Sequence, residues 1–273
     1  MISLNKISVE YQAGLVALQP TTLDFKKGKF TVLLGSSGAG KSSLLRCINA
    51  LVRPTTGSIG VPEIGDPLAS FSALRRHRRN TAMIFQQHQL IGRLSVLQNV
   101  LVGRLGFHST LRSLLPLPRA DKHFALECLD RVGLFDKALQ RVDNLSGGQQ
   151  QRVGIARGLV QRPKIMLADE PVASLDPASS HRVLSLLRRV CKEDGLTAVV
   201  SLHQLEFAKE YADRIVALAE GHVIFDGTPP QLDDEICHQI YSADASGKLR
   251  ILNSKTGVAD ESDDAVPEAA GSY

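Results

Sequence analysis

Apolar and polar residues first alternate along the chain, then change period. Ile7-Ser8-Val9-Glu10-Tyr11 and Thr21-Thr22-Leu23-Asp24-Phe25 read as half-buried strands, with Gly14 in the turn region between them. Phe30–Leu34 is a nearly continuous apolar run, as in a strand buried on both faces. Residues 42–51 place Leu44, Leu45 and Ile48 on one side of a predicted helix. Residues 53–70 are rich in Pro, Gly and Ser and predict loop with short strands. Met83-Ile84-Phe85 is another short apolar run, and the pattern then turns helical over 96–105, 120–132 and 147–160. Lys164-Ile165-Met166-Leu167-Ala168 resumes the strand pattern. A helix at 179–190, a strand at 197–201, a helix at 204–211 and strands at 214–219 and 222–225 follow. This alternation predicts an α/β fold, a mostly parallel sheet with helices on both faces and the helical stretch as an insertion.

Three stretches carry candidate chemistry. Gly35-Ser36-Ser37-Gly38-Ala39-Gly40-Lys41-Ser42 fits the phosphate-loop pattern and lies between a predicted strand and a predicted helix. Its glycines let backbone N–H groups converge on phosphate oxygens at the positive end of the helix. Lys41 would reach the β- and γ-phosphates, and Ser42 would place its hydroxyl on Mg²⁺. The apolar run at 164–168 ends in Asp169-Glu170, at the strand end that faces the crevice in such sheets. Asp169 would hold Mg²⁺ and Glu170 could polarise an attacking water; alone, the pair would read as solvated loop acids. Leu145-Ser146-Gly147-Gly148-Gln149 is a second loop of small residues opening a helix. It has no acid or base of its own and suits a second phosphate surface presented by another subunit.

In this order and approximate spacing, these motifs resemble the ATP-binding subunits of ABC transporters over about residues 1–230. The resemblance implies a P-loop NTPase with a RecA-like parallel core at about 1–87 and 161–250. It also implies an antiparallel β subdomain and a helical subdomain at about 88–160. By resemblance, residues 145–149 are the signature motif, and Ser146, Gly147, Gly148 and Gln149 meet the γ-phosphate bound by the opposite subunit. Lys41, Ser42 and the neighbouring Ser43 belong to the cis nucleotide site with Gly35 to Gly40. Gln86 resembles the glutamine that touches Mg²⁺ and senses the membrane subunit; Gln87 is its rival, and Gln86 directly follows the apolar run. Ser174-Leu175-Asp176 resembles the D-loop, although Asp176 before Pro177 also suits a helix N-cap. His203 resembles the switch histidine on the γ-phosphate. Tyr11 resembles the aromatic that stacks on adenine, or it is a strand residue packing on a neighbour. The implied cofactors are ATP and Mg²⁺. The implied partners are a second copy arranged head to tail, integral membrane permease subunits and, indirectly, a solute-binding protein.

Composition narrows the setting. Hydrophobic content of 43% and charged content of 22% over 273 residues are those of a globular protein with a full core. No apolar run approaches the roughly 18–20 residues of a bilayer span, and the first residues lack a signal-peptide pattern. A protein made and kept in the cytoplasm is the expectation, and the resemblance implies that it sits peripherally on the cytoplasmic face of the inner membrane. Cys47, Cys128, Cys191 and Cys237 are scattered without a C-x-x-C pair and read as reduced structural thiols. The net charge of +4 does not demand nucleic acid, and none is expected as a partner. Arg75-Arg76-His77-Arg78-Arg79 reads as a solvated helix before a strand, with lipid headgroup contact as the alternative. Residues 256–273 carry five acids and no Lys or Arg, and 251–273 reads as a flexible acidic tail.

The stretch from Phe85 to Gly106, the apolar and basic residues after it, and 165–177 are similar to the ATPases of phosphonate importers. Importers of phosphite or hypophosphite look alike there. Leu111, Leu114, Leu115 and Leu117 are candidates for a permease-docking groove or for plain core. Gly154 and Gly158 would each weaken an isolated helix by about 1 kcal/mol relative to Ala, which suggests a packing role. Non-transport ABC ATPases usually carry coiled coils, zinc sites or fused cassettes, which the sequence lacks. A regulatory module without turnover and an exporter are the other rivals, opposed by Glu170 with His203 and by the phosphonate-like stretch respectively.

Overall fold

The computed structural model describes residues 1–87, 89–108 and 117–246. His88, Leu111, Leu114, Leu115 and the acidic tail lie outside them, and Leu117 is half-buried. The chain opens with β1 (Ile2–Tyr11) and β2 (Leu15–Phe25), joined by a 3-10 turn at Gln12–Gly14. They pair antiparallel, and β4 (Thr56–Gly60) adds to the other edge of β1. Gly14 takes the left-handed backbone, φ 76°, that this turn requires.

A second sheet has strand order β5-β6-β7-β3-β8-β9. These are β5 (Thr81–Ile84), β6 (Ile165–Ala168), β7 (Thr197–Leu202), β3 (Phe30–Leu34), β8 (Arg214–Ala219) and β9 (His222–Gly227). All pair in parallel except β9, which runs antiparallel along β8 at the edge. Leu34 pairs with Leu202, Val200 with Ala168, and Ala168 with Ile84. The carboxyl ends of β3, β7, β6 and β5 therefore line up along one rim.

Side-chain alternation decides what each face of this sheet meets. Val32, Leu34, Val200, Met166 and Ala217 point to one face and join the larger core cluster. Helices α3 (Val96–Val102), α4 (Arg119–Arg131), α5 (Gly147–Leu159), α6 (Pro177–Glu193) and α7 (Leu205–Tyr211) supply many of that cluster's other residues. Leu33, Leu167, Val199 and Val216 point the other way. There they meet Leu44, Leu45 and Ile48 of α1 (Lys41–Ile48) and the apolar face of the antiparallel sheet. Helices thus flank both faces, but unequally. The helical stretch has no separate core: Val100, Leu129 and Ile155 share one cluster with Val32 and Met166.

Several boundaries differ from the sequence pattern for local reasons. The first helix ends at Ile48, because Ala50 adopts a left-handed backbone at φ 52°. The helix expected over 96–105 stops at Val102. A Cβ at Gly103 would lie 2.4 Å from the Arg157 carbonyl oxygen, so backbone packs on backbone there. Gly158 lets α5 lie against the sheet, since a Cβ there would sit 3.3 Å from Ala82 Cβ; one at Gly154 would meet nothing within 4 Å.

The basic cluster lies on a helix directly before β5, α2 (Phe71–Asn80), and Arg75, Arg76 and Arg78 are exposed as expected; only His77 departs, being fully buried with Nε2 2.7 Å from the Ile48 carbonyl oxygen. Burial lowers its pKa. Arg78 donates to the Ala50 carbonyl at 2.8 Å, so this helix also holds the chain just after α1. A last helix, α8 (Asp234–Ser246), follows β9 and was not marked by the pattern. The four cysteines are unpaired; burial pushes the thiols of Cys47, Cys128 and Cys191 up to about 12.

Candidate active site

The glycine loop leaves the end of β3 under close backbone constraint. A Cβ at Gly35 would lie 2.3 Å from the Leu218 carbonyl oxygen, and one at Gly40, φ 100°, 2.5 Å from that of Ala17. The loop is pressed onto β8 and β2 at positions only glycine can occupy. Gly38, φ 82°, instead has nothing within 4 Å on its side-chain side. Gly40 is the N-cap of α1 and offers no side-chain cap bond, so the first helical amides are left to an anion.

Lys41 is 3% exposed, and its Nζ donates to the carbonyls of Gly35 at 2.8 Å and Ser36 at 2.7 Å. Glu170 Oε1 lies 3.8 Å away. Burial lowers the Lys41 pKa, opposed by the charges of Glu170 and Asp169. A buried ammonium held mainly by its own loop's carbonyls is a cation prepared for phosphate oxygens.

The acid pair closes the other side. Asp169 is 5% exposed. Its Oδ1 accepts from Ser42 Oγ at 2.8 Å and from Ser201 Oγ at 2.9 Å. Glu170 follows with a left-handed backbone, φ 45°, and its N–H donates to Ser201 Oγ at 2.8 Å. Ser201 was not among the residues singled out from the sequence; the available signal was a hydroxyl inside the apolar strand β7. Ser42 and Asp169 present hard oxygen donors side by side, which fits Mg²⁺ with its remaining positions left to water and phosphate. Among the described residues no cluster of three or more His, Cys, Asp or Glu could hold a metal unaided. Tyr11 ends β1 with its hydroxyl 3.2 Å from Ser43 Oγ and its side chain partly exposed, at 37%, beside the loop.

Among the described residues, no hydrogen bond or ion pair joins the side chains of the remaining candidates to this cluster. Gln86 follows β5, is exposed, and lines a cavity of about 440 Å³ with Gln150 of α5 and Ser174. His203 follows β7 and is exposed; its carbonyl accepts from the Tyr241 hydroxyl of α8 at 2.8 Å. Ser146 caps α5, with its Oγ accepting from the Gln149 amide and Gln149 Oε1 from the Ser146 amide. A Cβ at Gly147 would lie 3.2 Å from Leu175 Cδ2, and one at Gly148 3.4 Å from Ser179 Cβ. The 145–149 loop is thereby packed on residues 174–179. Asp176 caps α6 by accepting from the Ser179 amide at 2.9 Å, and hydrogen bonds from Ser179 hold its carboxyl below the usual range. Among the described residues, no hydrogen bond or ion pair joins residues 145–149 to Lys41, Asp169 or Glu170.

A phosphate cradle after β3, acids after β6 and one strand inserted between them define a P-loop nucleotide-hydrolysing cassette. The chain belongs to the ABC transporter family, whose model matches residues 18–173. It is an ATPase of that family. It is 60% identical over 244 residues to a phosphonates import ATP-binding protein of Nostoc sp., covering 88% of this chain and 92% of that one. It is 63% identical over 242 residues to a phosphite import ATP-binding protein of Stutzerimonas stutzeri, covering 89% and 87% respectively. Among solved structures it resembles a dimeric, post-hydrolysis ATP-binding cassette bound to ADP and phosphate. The TM-score is 0.73 at 34% identity, over 84% of this chain and 99% of that one.

Proposed function

We propose that this chain is the ATP-hydrolysing subunit of an importer that carries phosphonate across the inner membrane, bound peripherally on the cytoplasmic face. The observation that carries the cargo is the 60% identity to a phosphonate-import subunit along nearly the whole of both chains. The similarity to a phosphite-import subunit supports phosphite as the second reading. The cargo never meets this subunit, so its own residues bear on it only through the permease that they fit.

In this reading Tyr11 stacks on adenine, and Gly35 to Ser43 wrap the phosphates of ATP. Lys41 turns from its loop carbonyls to the β- and γ-phosphates. Ser42, Asp169 and Gln86 would hold Mg²⁺, which would neutralise phosphate charge there. Glu170 takes a proton from the attacking water, and His203 orients the γ-phosphate. Ser146 to Gln149 and Asp176 act on the nucleotide of a second copy placed head to tail. The 88–160 segment and the flanking core at about 1–87 and 161–250 work as two units about the nucleotide.

A cavity of about 780 Å³ lined by the apolar Leu51, Phe71, Met83 and Phe85 and by the basic Arg75 and Arg79 suits a permease segment. Phe71 is 80% exposed there. A solute-binding protein completes the system. Deleting the gene in its host, then measuring uptake of labelled methylphosphonate, phosphite and phosphate, tests the cargo. Loss of methylphosphonate uptake alone is expected. Loss of phosphite uptake alone selects the second reading, and normal uptake of both overturns the importer assignment.

A further inference from the structure

Ser201 lies on β7 with no exposed surface, and its single hydroxyl serves both members of the acid pair. It donates to Asp169 Oδ1 at 2.9 Å and accepts the Glu170 N–H at 2.8 Å. Those two bonds use the hydroxyl's one proton and one of its lone pairs, so each direction is fixed. Glu170 needs such a partner. Its φ of 45° lies in the left-handed region, disfavoured for any residue with a Cβ and kept only where neighbours enforce it. The Asp169 oxygen also accepts from Ser42, but Ser42 stands on the phosphate loop. Ser201 is fully buried and is the partner that stands outside the phosphate loop.

We infer that Ser201 is a positioning residue for ATP hydrolysis. It locks the turn that aims the Glu170 carboxylate toward Lys41, and it keeps Asp169 in register with that carboxylate. Strand β7 thereby sets two parts of the site at once, because the same strand delivers His203 two residues later. The inference rests on Glu170 being the base of the proposed reaction.

The test uses the whole transporter, this chain with its membrane subunits, and measures steady-state phosphate release. Ser201→Ala removes both bonds, and Ser201→Cys fills the space with a poor hydrogen-bonding group. Each is expected to lower kcat about tenfold or more, one buried hydrogen bond being worth roughly a factor of ten, with KM for ATP nearly unchanged. The Cys variant, closer to Ser in volume, avoids the cavity that Ala leaves and should stay folded, so it carries the test if Ser201→Ala fails to fold. In a Glu170→Gln background, single-turnover rates should show no further loss on adding Ser201→Cys. Wild-type kcat in the Cys variant, or a fully additive loss in that background, overturns the inference. An inactive wild-type complex instead overturns the ATPase reading itself.

Discussion

Two glycine-rich loops each open a helix in this molecule, and the two are finished differently. At α1 the cap is Gly40, which has no side chain to offer, and the buried Lys41 ammonium sits behind the open amides. At α5 the cap is Ser146, and it exchanges hydrogen bonds with Gln149 in a closed capping box. The first helix start is left incomplete until an anion arrives, and acids, a cation and a hydroxyl converge on it. The second is stable as it stands and is packed through Gly147 and Gly148 onto Leu175 and Ser179. A loop that is complete as structure but has no chemistry beside it is suited to act on a neighbour's nucleotide.

The largest effect that would sharpen this contrast is expected at Glu170. Glu170→Gln should lower phosphate release by about 10²–10⁴-fold, the range for removing a general base, while ATP still binds. Retention of normal release in that variant would break the assignment of the base. A smaller, paired effect is expected at the loop glycines. Gly40→Ala must displace the loop from the Ala17 carbonyl and should weaken ATP binding by a single chain roughly tenfold or more. Gly148→Ala meets only a tight contact with Ser179 and should leave single-chain ATP binding intact while turnover falls. Titration with a fluorescent ATP analogue separates the two, and equal losses of binding would erase the difference drawn between the loops.

How much of this was legible in the sequence depended on how local the signal was. The phosphate loop, the acid pair and the strand β3 could be read because each needs particular residue types at fixed spacing. Asp176 as a helix cap was legible for the same reason, and the structure bears it out. The burial of His77 was not, because its neighbours Arg75, Arg76, Arg78 and Arg79 give the helix a polar average and only the tertiary contact with Ile48 reveals it. Ser201 was hidden likewise: one hydroxyl in an apolar strand has no pattern, and its meaning appears only when β7 pairs with β6. Helix α8 lacks a strong apolar stripe, and its link to the site, Tyr241 on the His203 carbonyl, spans distant segments.

In the proposed dimer, each nucleotide site takes its phosphate loop from one chain and residues 145–149 from another. Two variants, Lys41→Ala and Ser146→Arg, can be prepared separately, each in a Glu170→Gln background that halts turnover. The Ser146→Arg chain should still bind ATP, and neither variant alone should dimerise when ATP and Mg²⁺ are added. Mixed, they share one intact site, and an ATP-dependent heterodimer should appear by light scattering. A mixture that stays monomeric, although its Ser146→Arg chain binds ATP and the Glu170→Gln parent dimerises, would contradict the account.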